Sequence, residues 1–364
     1  VPALPELGAA LAEARRELEI CNACRYCEGY CAVFPAMTLH RAFEDGTLLQ
    51  LANLCHGCRA CFYACQYAPP HEFAVNLPRA LAELRAASWE SLVPPPPFAR
   101  LVQRRAEATV ALVVGALAAM LATLFALRPE SGVGFYAHLS HGAMVAIFLP
   151  AFVVPVLLLA AALRRYWRLV EGRPIRLHHL LIALRDAATL ANLRGGAQEG
   201  CQFEAGDRPS NARRWAHGLV LWGFLLCFAS TSVATVMHYG FDRPAPYGFW
   251  TPPKLLGVPG GILMVVGGLA LILLARCADP DLGSPAHRGG EAVFRLLVVA
   301  VPGSGLLLWA ATGTRLVAPL LALHLATVLA FFLAIPYSRM AHAPFRLAAL
   351  LRDVQEREAS GRRT

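Results

Sequence analysis

The chain has 364 residues, 57% of them hydrophobic and 16% charged, with a mean hydropathy of +0.48. That balance excludes an ordinary soluble globular domain and places the chain among membrane proteins. The net charge of +9 comes from arginines gathered in loops beside apolar runs, so membrane orientation accounts for it and no nucleic-acid partner is expected.

The first segment, LGAALAEARRELEI, carries both charge signs and no apolar core, so no secretory signal peptide is read and the region before Cys21 is expected to stay in the cytoplasm. Leu7, Leu11, Ala14 and Leu18 recur at helical spacing and predict an amphipathic helix leading into the first cysteines.

Two cysteine runs follow. Cys21, Cys24, Cys27 and Cys31 stand in CNACRYCEGYC, and Cys55, Cys58, Cys61 and Cys65 repeat the spacing in CHGCRACFYAC. Three cysteines on a tight loop reach three irons of one cubane cluster, and in two-cluster ferredoxins the fourth ligates the other cluster. By that pattern one [4Fe–4S] cluster takes Cys21, Cys24, Cys27 and Cys65, and the second takes Cys55, Cys58, Cys61 and Cys31. Ala32 and Gln66 stand where the bacterial run has proline after the fourth cysteine. Zinc usually takes two separated C-x2-C pairs and fits these runs poorly; disulfides are disfavoured by a reducing compartment. Cys201, Cys227 and Cys277 show no ligand spacing and read as ordinary cysteines.

Residues 71–92 read as a second amphipathic helix, and Pro94 to Pro97 then predict a stiff, extended spacer. Beyond it, six stretches approach the length of a bilayer-spanning helix: Ala108 to Leu127, His141 to Leu163, Trp215 to Tyr239, Leu255 to Ala275, Ala292 to Ala311 and Leu316 to Tyr337. The fifth is the weakest, because Arg295 and the run Pro302-Gly303-Ser304-Gly305 interrupt it. The expected fold is mainly α. A two-cluster ferredoxin-like helical domain (1–93), a proline-rich linker (94–107), a transmembrane bundle (108–342) and a cytoplasmic tail (343–364) follow one another. Ten arginines between the second and third spans, from Arg164 to Arg214, put that loop and both termini in the cytoplasm, with the bundle in a bacterial-type inner membrane.

Ionisable residues within spans are functional candidates. His217 and His238 lie at opposite ends of the third span, about 31 Å apart at 1.5 Å per residue. Matching by depth pairs His217 with His342 near the cytoplasm, and His141 or His238 with His324 in the outer half. Two histidines from facing helices suit haem b. His178 and His179, in the arginine-rich loop, read as solvated.

CNACRYCEGYC, CHGCRACFYAC with the following QYAPPHEFAVNLPRALAELRAASWE, and GFLLCFASTSVAT together resemble the tricarballylate utilization protein B family, also called citrate utilization protein B. The resemblance implies a membrane protein with two [4Fe–4S] clusters that reoxidises the flavin of a separate FAD-dependent tricarballylate dehydrogenase and passes electrons to membrane quinone. A related module, fused to a flavoprotein and carrying haem, belongs to cobalamin biosynthesis. The chain itself has no G-x-G-x-x-G opening a helix after a strand, in keeping with a flavin on another chain. Two further classes are weighed. A redox sensor would need one labile cluster rather than two matched motifs, and a transporter would place acidic residues at midplane, where these spans have almost none.

Overall fold

The computed structural model describes residues 7–30, 33–126, 134–194, 200–202 and 209–361. The chain is almost wholly helical, as expected. Helix α1 (Gly8–Cys24) buries Leu11, Ala14, Leu18 and Cys21 along one face. It stops at Arg25, whose left-handed φ of 56° carries its N–H back to the Cys21 carbonyl. Three short helices, α2 (Phe34–Met37), α3 (Asp45–Leu54) and α4 (Ala60–Tyr63), lead to α5 (Leu77–Leu92). Asn76 caps α5 by accepting from the Arg79 N–H, and Pro94 ends it by holding Val93 extended.

The proline run does not form an extended spacer throughout. Pro96 and Pro97 start α6 (Pro96–Arg104), because proline's fixed φ suits the first helical turn, where a missing N–H costs nothing. Then come α7 (Ala106–Ala126), α8 (His141–Leu169), the amphipathic α9 (Leu177–Ala188), α10 (Ala212–Gly240), α11 (Pro252–Arg276), α12 (Arg288–Ala310) and α13 (Val317–Ala334). Between α9 and α10, Cys201–Gln202 pairs antiparallel with Pro209–Ser210.

Six of these helices, α7, α8 and α10 to α13, are long and apolar enough to cross a membrane, which makes this a multi-pass membrane protein. Leu127, the expected end of the first span, lies outside the described residues. The fifth span is unbroken: α12 runs straight through Pro302 and its glycines. Half of the apolar window of α13 is buried inside the protein against 6% of that of α10, so α13 is central and α10 peripheral. Small residues let α10 approach α11 backbone to backbone: a Cβ on Gly223 would stand 2.7 Å from the Gly260 carbonyl oxygen.

The core of the N-terminal domain is not self-contained. Helix α8 continues past its expected end at Leu163, and Tyr166 and Leu169 are buried with Leu48, Leu49 and Leu81. The segment expected as a tail forms a packed helix, α14 (His342–Ala359), which buries Phe345, Ala349 and Val354 and lies against α3 and α9. His178 is exposed as expected, but His179 is buried and hydrogen-bonded to Glu358 of α14. A buried polar knot closes the junction with the spans. Glu90 of α5 accepts from Arg104 at 2.7 and 2.8 Å and from His287, just ahead of α12, at 2.7 Å. Burial alone would raise the Glu90 carboxyl, but the bonds from His287 and Arg104 outweigh it and hold the group below the usual carboxylate range.

Candidate functional site

Four of the predicted ligands converge. Cys21 and Cys24 at the end of α1, Cys27 just beyond it and Cys65 after α4 line one cavity, with Ile20, Tyr67 and Val75 among its other walls. Cys65 thus sits with the first run, although 34 residues of sequence separate it from Cys31, the fourth cysteine of that run. Gln66 donates to Cys24 Sγ at 3.5 Å. Four soft sulfur donors in a largely apolar setting suit an iron–sulfur cluster. Cys31 lies outside the described residues, so the expected fourth ligand of the second site has no described position.

The second loop repeats the backbone of the first. Arg25 and Arg59, each directly after the second cysteine of its run, both adopt positive φ, 56° and 70°. Such conformations are uncommon for residues other than glycine and collect at functional sites. Gly57, also left-handed at φ 60°, turns its N–H onto Cys55 Sγ at 3.4 Å. Cys58 and Cys61 are buried, and Cys201 lies against Cys58.

Arginines from three distant helices clasp this loop. Arg85 of α5 and Arg346 of α14 both donate to the Cys55 carbonyl at 2.8 Å, and Arg213 of α10 donates to the Gly57 carbonyl at 2.7 Å. Arg213 also lies 3.9 Å from Cys201 Sγ, and Arg59 Nη1 is buried with no hydrogen-bond partner. Sequence reading counted Arg213 only as an orientation signal, gave Arg59, Arg85 and Arg346 no role, and took Cys201 as an ordinary cysteine. No local spacing joins residues 59, 85, 213 and 346, so no sequence signal could have found the cluster.

The histidines fall into three arrangements. His217 of α10 and His342 of α14 stand with ring centroids 5.9 Å apart, beside the second cysteine loop. His342 Nδ1 donates to the Arg339 carbonyl at 2.6 Å, which leaves Nε2 as the nitrogen with a free lone pair. Burial, then the Arg346 charge, hold the imidazoles of His56 and His342 well below their ordinary range, and the neutral imidazole is the metal-binding form. Two imidazoles sharing one metal through bonds of about 2 Å have centroids about 6 Å apart, a spacing this pair has, with its rings at 89° to each other.

The outer pairing differs from expectation. His141 and His238 stack on each other at 4.2 Å, with His141 Nε2 2.8 Å from the Tyr239 hydroxyl; face-to-face rings at that spacing leave no room for a metal between them. His324 meets neither. It packs on Gly305 and its Nδ1 lies 3.1 Å from Ser304 Oγ, which also lies 3.1 Å from Thr327 Oγ1. The Pro-Gly-Ser-Gly run that weakened the fifth span is the notch that receives this ring, and His324 serves helix packing.

Residues 14–91 match the family model described as Citrate utilization protein B Fer4-like domain, and residues 100–363 match the model of Citrate utilization protein B. Citrate utilization protein B of Escherichia coli is 40% identical over 346 residues, covering 94% of this chain and 91% of that protein. No solved structure matches the chain. With a Fer4-like domain in front, a six-span membrane part behind and identity over nearly its whole length, the chain belongs to the citrate utilization protein B family.

Proposed function

We propose that this chain is a membrane-bound electron-transfer subunit. It takes electrons from an FAD-dependent dehydrogenase on a separate chain, acting on citrate, tricarballylate or a similar small polycarboxylic acid, and delivers them through two [4Fe–4S] clusters and haem b to quinone. The name of its relative supplies the substrate class. The observation that carries the reading is a set of three ligand groups: the four-cysteine cavity, the second cysteine loop, and His217 with His342 beside that loop.

Cys21, Cys24, Cys27 and Cys65 would hold one cluster, and Cys55, Cys58, Cys61 and Cys31 the other. His217 and His342 would hold the haem. When bound, these groups supply one-electron carriage from the domain surface into the low-dielectric core. The chain's own part is to fix the ligands and keep water away. Arg25 and Arg59 set the loop turns, Gln66 and Gly57 orient sulfurs by hydrogen bonds, and Arg339 fixes the His342 tautomer. An even number of spans and the arginine-rich segment between α8 and α10 support placing both termini on the cytoplasmic side of the inner membrane.

The test is an anaerobic optical and EPR spectrum of the purified chain before and after dithionite, with iron and acid-labile sulfide counted. The reading expects about eight of each in clusters, plus sharp reduced haem bands. Folded, anaerobically prepared protein without labile sulfide would sink it.

A further inference from the structure

The two cysteine sites each hold two buried cysteines, yet they differ in the charges beside them. The buried pairs are Cys21 and Cys27 in one and Cys58 and Cys61 in the other; Gln66 donates to Cys24 Sγ at the first and the Gly57 N–H to Cys55 Sγ at the second. At the first site the lining arginine, Arg25, is exposed and bonded to Asn22, so solvent screens it. The buried ionisable group near that site is an acid, Glu17, 1% exposed, whose Oε1 pairs with Arg16 at 3.1 Å and accepts from the Asn76 N–H at 2.8 Å.

At the second site the charges are guanidinium groups. Arg85, Arg213 and Arg346 spend their hydrogen bonds there on carbonyls of the loop, and among the described residues none of them pairs with a carboxylate within 4 Å. Burial, then the Arg85 charge, hold the Arg346 guanidinium well below its ordinary value. Clustered cations without anionic partners are costly in a protein interior. An anionic group held by the loop thiolates offsets that cost, and one with an added electron offsets it further.

We infer that Arg59, Arg85, Arg213 and Arg346 make the second cysteine site the electron-attracting member of the pair, so that electrons pass from the Cys21/Cys24/Cys27/Cys65 site to the Cys55/Cys58/Cys61 site and on toward His217 and His342. The inference rests on the electron-transfer reading above. Each electron that the first site loses reduces the second by one, and the reduced flavin of the partner replaces it. Net charge is a principal determinant of cluster potential, and the buried guanidinium groups put the positive charge beside the second site.

The test is an EPR-monitored redox titration of the full chain in detergent at pH 8.5, with iron and sulfide counted in every sample. Two one-electron transitions are expected, and Cys58→Ala should delete the higher one. Arg213 is half-buried, so Arg213→Gln should fold. It should make reduction of that site about tenfold less favourable, a fall of about 60 mV, and leave the lower transition in place, while Arg213→Lys restores most of the shift. Clusters present with coincident potentials, with the higher transition surviving Cys58→Ala, or with no response to Arg213→Gln would overturn the inference and leave the proposed function standing. Loss of all labile sulfide from the folded wild-type chain would overturn both.

Discussion

The polar knot at Glu90 joins the cysteine domain to the spans, and replacing its carboxylate with an amide of the same shape isolates its contribution. In Glu90→Gln the bond to His287 is the principal loss, since those side chains are 3% and 6% exposed. A buried hydrogen bond to a charged group is worth about 1.5–3 kcal/mol. Arg104 is 47% exposed, so its fork is discounted to about 0.5–1 kcal/mol. The Gln carbonyl keeps one acceptor, which leaves a net loss of about 2 kcal/mol. If the junction opens locally, that loss raises its open population roughly 30-fold. Hydrogen exchange read by mass spectrometry on the detergent-solubilised chain should accelerate by that factor in α6 and in residues 284–291, with α11 and α13 unchanged. A rise below about twofold there, or one spread evenly over every helix, would refute the assignment of the knot as the link between the two parts.

Three further outcomes follow from the site and its surroundings. Cys65→Ala should lose about half of the iron and give the same residual EPR signal as Cys24→Ala, not that of Cys58→Ala; a match to Cys58→Ala would mean that the ligands are not crossed. His342→Ala and His217→Ala should each abolish the reduced haem bands, whereas His324→Ala and His238→Ala keep them; loss of haem in His324→Ala would overturn the packing role given to that residue. Burial raises Glu17 to about 7 and Asp353 to about 6, above the roughly 4 of these groups in the unfolded chain. The folded protein therefore binds protons that the unfolded chain releases, and the resulting stability, full below about pH 4, is lost as pH rises to about 7. The melting temperature should fall between pH 5 and pH 8, and Glu17→Gln should flatten that fall; equal slopes in the two proteins would contradict it.

What was legible in the sequence is what depends on neighbours along the chain. A bilayer selects uninterrupted apolar length, so the six spans could be read from hydropathy, and even the fifth, doubted for Pro302 and its glycines, forms. Cysteine spacing encodes a loop because three sulfurs must reach one cluster, and the paired turns at Arg25 and Arg59 occupy equivalent places in the two runs. Depth matching brought His217 to His342, since position along a span is itself a one-dimensional quantity.

Lateral position was decided by the tertiary structure. Depth alone could not say that His141 faces His238 while His324 turns toward Ser304, because helices at one depth differ in which way they face. The tail became α14 because Phe345 finds Trp89 of α5 and Tyr166 of α8, and the helix as a whole packs on α3 and α9, all elements far earlier in the chain. The arginine clasp has the same origin. Arg85, Arg213 and Arg346 belong to three helices and meet only where those helices pack around one loop. A linear pattern carries the periods of helices and the spacing of ligands; long-range convergence is a property of packing, and packing placed the charges that distinguish two otherwise equal cysteine motifs.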